Sequence, residues 1–264
     1  MSEWNELQMR IHGEADRPTV IYLPGLHGDW TLVSSFRVAL GNRVRFIEFT
    51  YPRTRTWSLD DHARAVLDKL AAHGVRDGWI VAESFGSVVT WAVLERAAPG
   101  FGVKGVILSG GFVRYPYPFL VHLARALNRA IPLWMIKTLC WIYGRYAIVR
   151  HRQAPETLEG VAEFGRRRCE EADRQAMHHR YNLILESDAR GLVQNANIPI
   201  YQLCGSLEPV VPWWPVRRWL RRHCPSYKGS RLIWRADHNV LGTAPRTAAE
   251  QVLSWMDSSL TAAV

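Results

Sequence analysis

The stretch "VAESFGSVV", residues 81–89, joins two kinds of pattern at one serine. The run "GWIVA" (Gly78 to Ala82) leads in as a continuous apolar strand, and "SVVTWAVLERA" leads out with a helical period. Between them Ala82, Ser84 and Gly86 make a small-x-Ser-x-Gly turn. A sharp strand-to-helix turn needs small residues at both flanks, and it lifts the serine hydroxyl clear of the sheet onto a helix N-terminus. Ser84 is then either an activated nucleophile or an ordinary helix cap. The five-residue pattern alone arises often by chance; the strand before it and the helix after it give it weight.

Outward from this turn, apolar strands alternate with amphipathic helices. "TVIYLP" (Thr19 to Pro24) is β-branched and apolar and runs into a Gly-rich turn, and "VSSFRVAL" follows as a short helix. "VRFIEFTYP" is a strand ended by Pro52. In "SLDDHARAVLDKLAAHG" the residues Leu59, Ala63, Val66, Leu67 and Leu70 keep a helical period, with Ser58 as N-cap and Gly74 as stop. "VKGVILSGG", "IPIYQLCG" and "SRLIWRADH" read as further strands, with helices at about 213–223 and 245–260. The order predicts an α/β domain with a mainly parallel sheet covered on both faces. In such sheets the active residues gather at the carboxyl ends of the strands.

Residues 112–190 break the alternation. They hold no strand pattern and are rich in helix formers, in Arg and in aromatics (Tyr115, Tyr117, Phe119, Trp134, Trp141, Tyr143, Tyr146). We read them as a helical insertion into a core made of residues 1–111 and 191–264, suited to roofing a pocket; the alternative for each aromatic is packing within the insertion.

Of the 264 residues 48% are hydrophobic, which is globular and not disordered. No stretch is long and apolar enough for a membrane span, and "MSEWNELQMR" lacks a leader pattern. Cys140, Cys169, Cys204 and Cys224 form no CxxC pair, so the expectation is free thiols in a reducing cytoplasm and no metal site. The formal charge of +9 is uneven: residues 112–180 carry 12 Lys/Arg against 6 Asp/Glu, and residues 213–235 carry 7 Lys/Arg and no acid. No nucleic-acid-binding motif accompanies these patches. A solubilising surface is the plainest reading, and an acidic protein or acidic substrate ranks above nucleic acid.

A serine hydroxyl needs a base near neutral pH, and that base needs an anion to fix its tautomer. His238, in "WRADHNVL", is the one histidine of ten that follows the final strand. Glu208, in "GSLEPVVP", sits in the loop after "IPIYQLCG". Its rivals are Asp237, Asp188 and Glu83. Asp237 adjoins His238, Asp188 precedes its strand, and Glu83 is read as solvent-facing or pocket-lining. Acyl transfer also requires oxyanion donors. Phe85 N–H is the first. The second comes from "YLPGLHGDW", where the frame Pro24-Gly25-Leu26 is preferred to His27-Gly28-Asp29 and Leu26 N–H is the donor chosen. His27, with Gly25, lines that loop or contacts substrate, or His27 is packed structurally. Trp213 and Trp214 would narrow the pocket rim.

The motifs "YLPGLHG", "AESFG", "GSLEPVVP" and "ADHNVL", in this order, resemble the α/β-hydrolase superfamily across nearly the whole chain. The resemblance implies a mainly parallel sheet of about eight strands, a helical cap at 112–190, and a Ser84–Glu208–His238 hydrolase needing no metal or organic cofactor. It departs in three places: Pro24 stands where many members have His, Ala82 replaces a Gly, and Glu208 replaces the commoner Asp. A serine nucleophile disfavours dehalogenase and epoxide chemistry and leaves an ester, thioester, amide, peracid or C–C substrate. A small or medium acyl ester is preferred. The basic cap is also similar to that of pimeloyl-carrier-protein methyl esterases, which would make Arg125, Arg129, Arg145, Arg150 and Arg152 a dock for an acidic carrier protein. A non-catalytic binding protein on this fold stays the alternative of another class.

Overall fold

The computed structural model describes residues 6–97, 100–135, 137–138, 141–142, 145 and 155–261. Seven strands form one sheet: β1 (Gln8–His12), β2 (Thr19–Leu23), β3 (Arg45–Thr50), β4 (Asp77–Glu83), β5 (Gly102–Ser109), β6 (Ile200–Gly205) and β7 (Tyr227–Ile233), in the order β1-β3-β2-β4-β5-β6-β7. Every pairing is parallel except β1 with β3. The sheet's seven strands among the described residues agree with the mainly parallel sheet of about eight that the resemblance implies. Its antiparallel β1, "QMRIH", carries no continuous apolar run, and sequence patterning passes over it because it is a half-buried edge.

Helices α1 (Ser34–Leu40), α2 (Leu59–Ala72) and α3 (Gly86–Arg96) follow β2, β3 and β4. Between β5 and β6 come α4 (Pro118–Ala130), α5 (Pro155–Arg167), α6 (Glu171–Glu186) and α7 (Arg190–Gln194), with no strand among the described residues there. After β6 come α8 (Trp213–His223), then α9 (Val240–Thr243) and α10 (Pro245–Thr261) beyond β7. The strand pleat sorts side chains between two cores. Ile21, Leu23, Ile47, Phe49, Ile80 and Ala82 face α2, α3 and α8, while Val20, Tyr22, Phe46, Val81 and Ile107 face α1 and α10. Fully buried strands of this kind read as unbroken apolar runs, which is why the sequence showed them clearly. Ser58 and Asp61 close the predicted start of α2 with a reciprocal capping box.

After β2 the chain adds β3 on one side of it, and then β4 on the other. The loops leaving β2 and β4 therefore diverge and open a crevice at the carboxyl end of the sheet. Ser84 and the Gly25–Leu26–His27 loop follow the two strands on either side of that crevice.

One buried histidine of α2 is a stability sensor. His62 donates from Nδ1 to the Ser58 carbonyl at 2.8 Å, its Nε2 has no partner, and Tyr51, Trp57 and Phe85 pack edge-on around it. Burial, reinforced by Arg180 and His179, pulls its pKa down to about 4. The unfolded chain protonates near 6.5 while the native state does not. Stability should therefore fall as pH drops from about 6.5 to about 4, by up to ~3 kcal/mol from this residue. His62→Phe should flatten that part of the slope, measured by urea unfolding across the window.

Candidate active site

Ser84 follows β4 directly and takes φ +48°, a left-handed conformation costly for a residue with a Cβ. Surrounding contacts enforce it. Ser84 N–H donates to Ser109 O at the end of β5 (3.0 Å), and Ser87 Oγ donates to Ser84 O (2.6 Å) while accepting from Phe112 N–H (3.0 Å). A Cβ on Gly86 would lie 2.1 Å from the Leu23 carbonyl oxygen, so only glycine lets α3 approach β2 this closely. Helix α3 has Phe85 at its N-cap and no side-chain cap bond, so the Ser84 hydroxyl is not spent on capping.

The loops after β6 and β7 bring the predicted acid and base together. His238 Nδ1 lies 2.6 Å from Glu208 Oε2, and the other carboxylate oxygen accepts from Val210 and Val211 N–H (2.7 and 2.9 Å). The Glu208 side chain is fully buried and accepts from three short donors. Burial alone would lower the His238 pKa. The hydrogen bond and charge of Glu208 outweigh it, with Glu83 and Asp237 adding, and the pKa is raised. Gly110 (φ +57°) makes room: a Cβ there would stand 3.0 Å from His238 Nδ1 and 3.2 Å from Glu208 Oε2. Gly110 follows Ser109, the acceptor of Ser84 N–H, so one short segment touches serine, base and acid. The rivals are spent elsewhere: Asp237 accepts from Asn239 N–H, and Asp188 pairs with Arg190.

No family model matches this sequence, and no curated protein matches it as a relative. Solved structures do match its shape. An α/β-hydrolase enzyme, MGS-M2, from a Medee basin deep-sea metagenome library is similar at a TM-score of 0.73, with 12% identity over 95% of this chain and 94% of that one. The enol-lactonase of Burkholderia xenovorans LB400 is similar at 0.73, with 16% identity over 95% and 96%. The esterase RhEst1 of Rhodococcus sp. ECU1013 is similar at 0.72, with 16% identity over 96% and 94%. The chain has the α/β-hydrolase fold.

In this α/β-hydrolase fold the loop after β2 holds Gly25, Leu26 and His27 against the serine. A Cβ on Gly25 would lie 3.5 Å from Ser84 Cβ. Gly28 N–H donates to Gly25 O (2.9 Å) and Asp29 N–H to His27 Nδ1 (3.2 Å), so the second frame's donors are used within the loop. Leu26 and Phe85 N–H have no hydrogen-bond partner among the described residues. The carbonyls of the loop point the other way, into arginines of the helical segment. Arg180 donates to Leu26 O (2.8 Å) and Pro52 O (3.0 Å). Arg168 donates to Gly28 O (3.0 Å), Tyr51 O (3.2 Å) and the buried Asp29 carboxylate (2.9 Å). Gly28 (φ +69°) is required here, since a Cβ would stand 2.6 Å from the Arg180 guanidinium. Burial and the nearby Arg168 pull the Arg180 pKa down to about 9.

Sequence reading missed Arg168, Arg180 and Asp29, whose partners lie more than a hundred residues away. Glu83, read as solvent-facing or pocket-lining, does not face solvent: its carboxylate is buried beneath the loop, accepts from Tyr22 hydroxyl, and lies 3.9 Å from His27 Nε2. The His27 Nδ1 accepts a backbone N–H, so Nε2 carries the proton that faces Glu83. Burial would raise the Glu83 pKa, but His27, Tyr22 and His238 win and lower it. The alternation of β4 turns Glu83 inward, which an exposed-turn reading cannot anticipate. Trp213 is partly buried and its carbonyl accepts from Gln202, whereas Trp214 is exposed against Tyr117. Phe119, Trp134 and Trp141 are exposed, and Trp141 lines an open surface cavity with Leu158, Val161 and Ala162 of α5. Arg125 is tied to Asn182, Arg129 and Arg145 are exposed, and Arg150, Arg152, Tyr143, Tyr146 and Cys140 lie outside the described residues. Cys204 and Cys224 are free thiols. No cluster of metal-ligand type and no helix long and apolar enough to cross a membrane occurs among the described residues.

The Glu208 bond is what keeps His238 basic. Glu208→Gln should lower the His238 pKa, because burial then acts against a weaker partner. An NMR titration of the His238 ring checks it; an unchanged midpoint would mean the pair does not control the base.

Proposed function

We propose that the protein is a serine carboxylic-ester hydrolase that cleaves small to medium acyl esters through an acyl-enzyme on Ser84, with residues 112–190 as its cap. The observation that supports it most is the combination of a strained, uncapped Ser84 with a buried Glu208–His238 pair one loop away. Similar shapes include proteins named as an enol-lactonase and an esterase, which agrees with this reading.

His238 Nδ1–H donates to Glu208, so the Nε2 lone pair is available as base. In the first step Ser84 Oγ bonds to the carbonyl carbon and its proton passes to His238 Nε2. The oxyanion is met by Leu26 and Phe85 N–H, donors oriented before the reaction and therefore needing little reorganisation. His238 then gives the proton to the leaving alcohol as the C–O bond breaks. Water attacks the acyl-enzyme, its proton goes to His238 and then to Ser84 Oγ, and the acid is released. Glu208 stays ionised throughout and stabilises the imidazolium. The Gly25 carbonyl, in the same peptide plane as Leu26 N–H, is held by Gly28 N–H, while Arg180 and Arg168 hold the next carbonyls of the loop, those of Leu26 and Gly28. Thioesters and C–C bonds would use the same groups.

Hydrolysis of p-nitrophenyl esters from acetate to palmitate should be fastest for short or medium chains, and Ser84→Ala should lower kcat by about 10³-fold or more. Loss of fluorophosphonate labelling in Ser84→Ala checks the nucleophile directly. Turnover that survives this substitution would overturn the assignment. Glu83→Gln should move the acid limb of kcat/KM to lower pH, since removing a nearby anion lowers the His238 pKa.

A further inference from the structure

Helix α4 is oriented against the usual pattern. Its inner positions Val121, Ala124, Arg125 and Asn128 pack toward α6, while Phe119, Leu123, Ala126 and Leu127 face outward. Phe119 is 65% exposed, Leu123 53% and Leu127 48%, on a helix whose neighbour offers them nothing. The surface continues in both directions. Tyr117 links Phe119 to Trp214, at ring separations of 6.2 and 6.5 Å, and so reaches the loop of Glu208, where Leu207 and Val210 are exposed too. Past the other end of α4, Trp134 (67% exposed), Met135, Trp141 and Ile142 are exposed as well. Exposed apolar ground of this extent marks an interaction surface.

Its charge identifies what it fits. Between Glu95 and Glu156 the chain has no Asp or Glu, and between Glu208 and Asp237 it again has none. Both acid-free stretches flank or form this face, and both carry exposed cations, among them Arg129, Lys137, Arg145, Arg218, Arg221 and Arg222. The positive field registers on a neighbour: His178 on α6 has its pKa lowered by its surroundings, first by burial and then by Arg125, Arg129 and Arg174. Outward Phe, Leu and Trp beside Arg and Lys, with Glu159, Glu170 and Glu171 of neighbouring helices at the edge near Arg129, Lys137 and Arg145, is the composition of a mainly cationic face suited to lie in the plane of an anionic bilayer.

We propose that the face formed by α4, the segment around Trp134 and the start of α8 docks on an anionic lipid surface. The apolar side chains insert at the headgroup boundary, and the arginines neutralise lipid charge. Docking in this orientation turns the Glu208 loop toward the bilayer, so an ester partitioned into it reaches the crevice without crossing bulk water. The surface chemistry stands whether or not the ester-hydrolase reading holds, and Ser84→Ala protein should bind equally well.

Flotation with phosphatidylcholine vesicles, with and without phosphatidylglycerol, tests it. Binding should be at least about tenfold tighter with the anionic lipid and should weaken with added salt. Leu123→Ser/Leu127→Ser should lower binding by about tenfold while leaving the melting temperature and the turnover of soluble ester unchanged; both residues are exposed and outside the catalytic groups. Trp134→Ser, on a separate segment, is the second variant. Absence of vesicle binding, or binding unaffected by both variants, overturns the proposal. So does a wild-type dimer that the Leu variants dissociate without any vesicle binding, which would assign the face to a second copy.

Discussion

Gly86 has no room for a Cβ, and the active-site region depends on that fact. The Leu23 carbonyl stands 2.1 Å from where the atom would be. With α3 pressed onto the end of β2, the chain leaving β4 must turn within two residues, and Ser84 takes the left-handed φ that results. The same contact sets the serine beside the loop that leaves β2. Ser84 and the loop after β2 are thus placed by one backbone approach across the crevice between β2 and β4.

A second constraint is electrostatic and comes from far along the chain. Arg168 and Arg180 reach from the helical segment to the carbonyls of the loop after β2, and Asp29 beneath it neutralises part of their charge. Burial works against an ionised Asp29, yet Arg168 and Arg167 keep its pKa low. Removing one partner from so buried a set would leave a bare charge, at a cost of about 3–5 kcal/mol. The helices between β5 and β6 are therefore part of the active-site scaffold as well as a surface of their own. Glu83, Tyr22 and His27 form a smaller polar group behind Ser84, and its charge bears on His238. Two carboxylates thus bias one imidazole, Glu208 by a direct bond and Glu83 through space.

The two halves of the molecule differ in how they handle apolar side chains. In the sheet, Val, Ile and Leu vanish into two cores. On α4 the periodicity of the sequence is equally clear, but it points outward because α6 takes the opposite side. Helical period reports that a face exists; it carries no information on which neighbour, if any, meets it.

Much of this protein is legible in the sequence because it is written in local physics. Unbroken apolar runs give buried parallel strands, Ser58 and Gly74 bound α2, and a small-x-Ser-x-Gly between strand and helix marks the turn at Ser84. The order of Ser84, Glu208 and His238, each just past a strand, follows from the rule that parallel strands present their carboxyl ends together. What tertiary structure alone decided is everything that depends on distance or direction. It chose Glu208 over Asp188 and Asp237 by a 2.6 Å contact. It buried Glu83, drew Arg168 and Arg180 under a loop more than a hundred residues away, and left Phe119, Leu123 and Leu127 facing out. Local sequence determines the backbone of each element through steric and hydrophobic period, whereas the pairing of charges and the partners of faces arise only when the elements are brought together.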